Sequence, residues 1–420
     1  MSNAFDIVVI GAGAAGVGAT RELAGSGLSC LLLEASQRVG GRAWTVTAGR
    51  GLSLDLGCGW LHSAERNSWS ELALSTGTQI DRREPAWGKQ YKDLGFSPAE
   101  QKQAKQALSA WNRAMHQHPP LSDRASDSVL ESGDIGPWRA FLEQIAGAYT
   151  GKRIEEISVA DYMAYLAAEA EAKSDWRLTH GYGSLVASGL PQGAQLRLAT
   201  PVTALTLDGE GVGLRTPRGD LRANAAIITV STNVLANAWI DMPAELEPWL
   251  SAAAALSLGA NEKLYLEILR PDAFEVETRV VGDPRALRSG AYYIRPLGMG
   301  VIEGFFCGEA AEWIAAEGPA AAYDLAINQL AALFGQEFRE TLRQIAISSW
   351  REDHWIQGSY SCAAPGHHSA RERLAQPFDD RIFFAGEATH PTAFTTAHGA
   401  LDSGVRAARE AASALSRRIR

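Results

Sequence analysis

"FDIVVIGAGAAGVGATRELAGSGLSCLLLE", Phe5 to Glu34, decides the fold of this 420-residue chain. Phe5–Ile10 is a continuous apolar run of strand length, as in a parallel strand buried on both faces. Gly11, Gly13 and Gly16 follow as G-x-G-x-x-G. A helical stretch continues through Leu23 and stops at Gly25–Gly27, and "LSCLLLE" is a second buried strand ending at Glu34. Strand, glycine turn, helix and strand in this order form the setting that a dinucleotide-binding turn requires. Gly11 permits the tight turn, Gly13 lets backbone approach a pyrophosphate, and Gly16 lets helix and sheet pack closely. The free N–H groups and positive dipole end of the helix face the phosphates, with Ala15 in its first turn. Glu34, 18 residues after Gly16, can accept from both hydroxyls of a ribose and would repel a 2′-phosphate.

"EASQRVGGRAWTV" continues the argument. Ala35 adjoins the acid, and Arg38, Gly40, Gly41 and Arg42 lay further backbone and fixed cations along the same pyrophosphate. A nicotinamide enzyme has no need of this second turn. With "LDLGCGWLH" (Leu54–His62) the chain resembles the flavin-containing amine oxidase family, which carries G-x-G-x-x-G, then E-A-x-x-R-x-G-G-R, then D-x-G beside a W-x-H turn. "THGYGSLVASGL", "AAIITVSTNVL", "SSWREDHWIQGSYS" and "GEATHPTAFTTAHGALDSG" resemble further blocks of the family, the last as written in polyamine and spermine oxidases. Residues 68–175 and 270–345 show only helix and strand patterns.

The resemblance implies an α/β fold: a discontinuous Rossmann-type FAD-binding domain (1–68, 176–238 and 376–420) and an α+β substrate-binding domain (69–175 and 239–375) with a mixed sheet and helices. It implies noncovalent FAD, because Ser359 stands where covalent-flavin relatives carry cysteine. Gly57, Cys58, Gly59 and Trp60 would line the isoalloxazine, Val202 would contact adenine, and Trp350, Trp355 and Tyr360 are candidates for aromatic walls. Gly386 and Glu387 would hold the ribityl or phosphate region. Thr396 and Ala397 would start a helix aimed at the flavin pyrimidine edge, where a positive dipole end favours negative charge. Threonine at 396 points toward extended or secondary amines. Lys263, in "LGANEKLYLEI", is the expected catalytic residue, reaching the flavin through a water and assisting reaction with oxygen. The plain alternative is a solvent-facing lysine on an alternating strand. His62, Tyr360, Phe394 and Thr395 are expected in the amine pocket, and no metal is needed.

The expected activity is oxidation of a primary or secondary amine, polyamine-like by preference, to an imine, with oxygen giving peroxide. An amino-acid oxidase or a desaturase of the same fold, or a flavin-binding scaffold without turnover, are the rivals. Amino-acid oxidases of the family place an arginine soon after D-x-G, where this chain has "GWLH". A histone demethylase role lacks room for a long helical insertion.

Composition bounds the rest. A net charge of −9 argues against nucleic acid as a partner. No apolar run reaches membrane-spanning length. Four scattered cysteines, Cys30, Cys58, Cys307 and Cys362, form no C-x-x-C pair, which fits a reduced, cytoplasmic setting; with no signal peptide before Phe5, a cytoplasmic monomer or homodimer is expected. In 97–118, Ser97 and Glu100 form a capping box with Pro98 at the first helical position. Ala104, Leu108, Trp111 and Met115 share one face, and Pro119–Pro120 ends the helix. "SVADYMAYLAAEAEAK" reads as a second such helix, 196–230 as an antiparallel meander, and the final "SRRIR" as a solvated helix end.

Overall fold

The computed structural model describes residues 4–49, 51–117, 123–130 and 135–418. The apolar runs become the centre of a seven-stranded sheet. Gln195–Arg197, Cys30–Leu33, Ala4–Ile10 and Leu221–Ile228 lie side by side and parallel. Leu221–Ile228 divides its far edge. Leu221, Arg222 and Ala223 pair antiparallel with Gly211–Arg215, and Ala226, Ile227 and Ile228 pair parallel with Ile382–Phe384. Because side chains alternate across a strand, Val8 and Ile10 enter one core with Leu31, Leu33 and Phe384. Ile7 and Val9 enter the other with Leu32, Phe383 and the alanines of the last helix. The meander holds for Ala204–Asp208, Gly211–Arg215 and Leu221–Ile228. Gln195–Arg197 lies outside it, paired parallel with Cys30–Leu33.

The last helix, Ala397–Arg418, crosses Ala14–Leu23 at backbone contact. A Cβ on Gly404 would lie 2.0 Å from the Ala15 carbonyl, and one on Gly18 2.6 Å from that of Leu401. Arg417 and Arg418 are not merely solvated. Arg417 pairs with Asp380 at 3.0 Å, and Arg418 donates to the Glu210 and Asp380 carbonyls, so the helix end is fastened to two loops.

A second sheet runs Thr278–Val281, Ala291–Ile294, Val301–Cys307, Asn261–Ile268 and Leu342–Ile347. Every pair in it is antiparallel, so the sheet is not mixed. Asn261–Ile268 is buried along almost its whole length rather than alternating. Leu264, Leu266 and Ile268 lie under helices Glu309–Glu317 and Pro319–Phe334, while Tyr265 on the opposite face meets Leu54, Leu56 and Trp350.

The helix Pro98–His116 has the expected capping box, and Ala104, Trp111 and Met115 are fully buried; Pro119–Pro120 lie outside the described residues. Val159–Glu169 is the other expected helix, capped by Ser158. All four cysteines are unpaired. Among the described residues no helix is long and apolar enough to cross a membrane.

Candidate active site

One elongated cavity of about 1610 Å³, its opening included, runs from Glu34, Val202 and Ile240 past Gly11, Gly13 and Arg42 to Lys263, Phe305 and Tyr360. It lies at the carboxyl ends of the parallel strands, the usual ligand position in such sheets.

The glycines divide into two kinds. Gly11 has φ +103°, and a Cβ on Gly16 would sit 1.8 Å from the Gly11 carbonyl oxygen. These two shape the turn itself. Around Gly13 a Cβ would meet nothing closer than Gly41 Cα at 3.9 Å. The space before Gly13 therefore belongs to the cavity, not to packing. Gly13 is also the N-cap of Ala14–Leu23 and offers no side-chain acceptor. The first amides of that helix, at Ala14 and Ala15, border the cavity with no side-chain cap, a ready anion site. Glu34 accepts from the Ala12 amide at 2.7 Å and the Ser36 amide at 2.8 Å, one bond per oxygen. Each oxygen keeps further acceptor capacity.

At the C-terminal junction Glu387 departs from expectation. Oε1 accepts from Arg42 Nη1 and the Ser361 amide, both at 3.0 Å. Oε2 accepts from Ser361 Oγ at 2.7 Å and the Thr395 amide at 2.9 Å. The carboxylate's four acceptor positions are filled by protein, leaving none for ribityl hydroxyls. Burial acts against its charge, but Arg42, Arg371 and these donors outweigh burial and hold it below the usual glutamate value. Its work is to position Arg42, whose hydrogen bonds to described residues, to Glu387 and the Ser359 carbonyl, both leave from Nη1. Nε and Nη2 remain for a ligand. Behind Glu387 lies a fully buried clamp absent from the sequence reading. Arg371 grips Asp161 through Nε at 2.6 Å and Nη2 at 2.8 Å, and donates to Ser361 Oγ at 2.7 Å. The clamp ties the helix Val159–Glu169 to the C-terminal junction.

Thr395 takes φ +65°, a left-handed conformation rare for a β-branched residue. The hydrogen bond its backbone N–H donates to Glu387 helps hold it there. Thr396 caps the last helix, accepting from the Gly399 amide at 3.0 Å and donating to the Ala393 carbonyl at 2.6 Å. Thr395, Thr396, Ala397 and Gly386 all border the cavity.

Lys263 is buried, not solvent-facing. Nζ pairs with Glu303 Oε1 at 2.9 Å and lies 3.2 Å from where Gly59 would carry a Cβ. Burial lowers a lysine pKa, but Glu303 and Asp55 more than offset it, and the net shift is upward. Lys263 is therefore a fixed cation at neutral pH. Asp55 accepts from the Tyr182 amide at 2.9 Å and from Thr45 Oγ1, while burial raises its own pKa. Tyr265 donates to the Asp55 carbonyl at 2.9 Å.

Of the remaining expected site residues, Ala35, Gly41, Gly57, Cys58, Val202, Trp350, Trp355 and Tyr360 border the cavity. Trp350 is oriented by Nε1 donating to the Leu56 carbonyl at 3.0 Å. Trp355 packs against His354 and Trp239. Four residues do not border it, Gly59 among them. Phe394 is buried between Tyr165 and Arg371, whose guanidinium lies 3.7 Å from its ring centre, so it is part of the clamp. Trp60 packs against Trp87 at 4.8 Å and Tyr293 at 6.0 Å, with Arg177 over its face. His62 pairs with Asp175 at 3.0 Å, near Glu169. Trp60 thus meets Tyr293 of the second sheet, and His62 meets Asp175 beyond the helix Val159–Glu169. Sequence reasoning missed Glu303, Phe305 and Asn261. Strand patterns were visible around Glu303 and Phe305, but nothing local shows which face meets Lys263.

A family model described as flavin containing amine oxidoreductase matches residues 14–412. The chain is 27% identical to polyamine oxidase 4 of Oryza sativa subsp. japonica over 442 aligned positions, which cover 96% of this chain and 88% of that protein. It is 25% identical to human lysine-specific histone demethylase 2, covering 96% of this chain but 53% of that one. Among solved structures, wild-type putrescine oxidase bound to putrescine matches with a TM-score of 0.76 at 18% identity, covering 99% of each chain. That likeness bears on the fold alone.

Proposed function

Because the chain belongs to the flavin-containing amine oxidoreductase family, we propose that it oxidises an extended primary or secondary amine to an imine, with oxygen as acceptor. The family implies FAD, and the residues present fit it. The uncapped amides at Ala14 and Ala15 with Arg42 suit the pyrophosphate, Glu34 keeps acceptor capacity for a ribose, and the last helix starts at the cavity wall. When bound, FAD supplies the two-electron acceptor for the C–H bond beside nitrogen.

The observation that carries the reading is Lys263, a buried cation on Glu303 at the end of the cavity remote from Glu34. Its charge favours negative charge developing nearby and holds a water by donation. Phe305, Tyr360 and Trp350 keep the surroundings apolar, which favours the neutral, reactive form of an amine. A polyamine-like substrate is the preferred form, since polyamine oxidases are among the relatives. The test is anaerobic bleaching of the bound flavin, followed by peroxide release in air, with di- and polyamines, acetylated polyamines, arylalkylamines and cyclic amines. If no amine bleaches the flavin, the reading fails.

We further propose that the cofactor is held noncovalently. Ser359 Oγ donates to Asn261 Oδ1 at 2.5 Å, and a hydroxyl forms no thioether. Acid precipitation is expected to release all yellow colour to the supernatant; colour retained on the denatured chain would refute this.

A further inference from the structure

The face of the second sheet that carries Lys263 continues well beyond the cavity end. Lys263 lies opposite Phe305, Phe305 opposite Ala291, and Ala291 opposite Val281. Two residues along, Glu303 lies opposite Tyr293 and Tyr293 opposite Arg279. Side chains of directly opposed residues share a face and repeat every second residue. Lys263, Phe305, Tyr293 and Arg279 therefore stand on one face. Adjacent strands lie about 4.8 Å apart, so Arg279's strand is about 14 Å from that of Lys263.

Arg279 is half-buried. Burial lowers its pKa from the usual arginine value, with only the Tyr293 and Tyr149 hydroxyls opposing that shift. Part of its surface stays open. Among the described residues it has no ion pair and no side-chain hydrogen bond. The acids near it are committed elsewhere. Glu303 pairs with Lys263, and Glu277 pairs with Arg177 and Arg83. Asp175 pairs with His62, and Glu169 accepts from Ser63. The two phenols beside Arg279 are also donors without acceptors. Tyr293 Oη accepts from the Ala86 amide and keeps its own proton to give. The hydroxyl of Tyr149, a residue 38% exposed, makes no hydrogen bond among the described residues. Arg279 and Tyr293 are directly opposed on this face, Tyr149 acts on the Arg279 charge, and an anion would give the half-buried guanidinium the acceptor it lacks.

We propose that Arg279, with Tyr149 and Tyr293, receives a carboxylate at the far end of the amine substrate. A single guanidinium matches the single charge and planar fork of a carboxylate. The spacing asks for an extended chain, with the amine near Lys263 and the carboxylate about three strands away. The aromatic side chains of Trp60, Trp87 and Tyr293 flank this face. An amine with cationic groups at both ends would meet like charge at Arg279. This proposal rests on the amine-oxidation reading and replaces its polyamine preference with amines that carry a distal acid.

The test is equilibrium binding to the oxygen-free holoenzyme, which needs no turnover. The probes are a homologous series of ω-aminocarboxylates and the n-alkylamines of matching length. Wild type is expected to bind the longer aminocarboxylates about tenfold or more tightly than the matched alkylamines, with an optimum at the length that spans the sheet face. Arg279→Gln is expected to erase that advantage while alkylamine binding stays within about twofold, and Arg279→Lys to restore part of it. Equal binding of acid and alkylamine by wild type would overturn the proposal, as would an Arg279→Gln loss shared equally by both series. Should Arg279→Gln fail to fold, the wild-type length and acid dependence decides alone, with Tyr149→Phe expected to weaken only the acid series. Failure of the broader reading would show separately, as holoenzyme that no amine bleaches, whatever the binding data.

Discussion

Lys263→Met is expected to slow the reaction with oxygen by about 10²-fold or more while amine affinity shifts only a few-fold. Methionine matches the length of the lysine stem and removes only the charge and its donors. The charge is what the surroundings maintain. Burial alone would favour a neutral amine, yet Glu303 at 2.9 Å and the nearby Asp55 reverse the balance. A lysine whose pKa is raised stays protonated through neutral pH, so it acts as a cation and donor, not as a base. Its loss withdraws stabilisation from negative charge forming at the inner end of the cavity. It also deprives a bound water of its donor. The ground-state amine gains little from a nearby ammonium, which explains the modest effect on binding. Stopped-flow measurement separates the two halves, since anaerobic bleaching reports on the amine and mixing with oxygen on the second step. An unchanged oxygen step in Lys263→Met would remove this residue from the mechanism. Glu303→Gln keeps the lysine and removes the charge that favours its protonated form, so it tests the cation separately from the side chain.

Gly13→Ala is expected to leave a folded protein that has lost most of its flavin. The Gly13 backbone is extended, with φ −74° and ψ −173°, a conformation alanine adopts freely. The added methyl would meet no protein atom nearer than 3.9 Å. It would instead occupy the space along which the phosphates must approach. Overpacking of that kind costs about 1–3 kcal/mol, which is roughly a tenfold to hundredfold loss of affinity. Gly16→Ala should behave differently, since its methyl would fall 1.8 Å from the Gly11 carbonyl and must displace the turn itself. Flavin content and the thermal transition of the flavin-free protein distinguish the two variants. A Gly13→Ala protein purified with full flavin would show that the phosphates do not pass that glycine.

These two variants also mark what was legible in one dimension. The turn at Gly11–Gly16, the strands around it and the acid at Glu34 are local features. Their spacing along the chain dictates backbone shape within a few residues, and the structure keeps them. The capping box at Ser97 and Glu100 is local in the same way. Lys263 was identifiable from its neighbourhood in sequence, but its burial was not. A lysine on a strand is exposed or enclosed according to what covers that face, and the cover here comes from Gly59 and Glu303. Glu387 was identifiable as a site carboxylate, but not as one already saturated. Its donors, Arg42, Ser361 and Thr395, come from three separate segments. Trp60, His62 and Phe394 sit beside true cavity residues in the chain, yet the backbone carries their side chains elsewhere.

The sequence by itself determined the strand–turn–helix of Gly11–Gly16, the family the chain belongs to, and most of the short segments that border the cavity. Only the tertiary structure decided which residues share the sheet face of Lys263, because that depends on strand register. Lys263, Phe305, Ala291 and Val281 are brought into one row across four antiparallel strands. With a side-chain period of two, a slip of one residue in any pairing would turn that strand's side chains to the opposite face. No local pattern in residues 270–345 specifies that register; the packing of the whole sheet does, and it is the same packing that sets Arg279 on the face of Lys263.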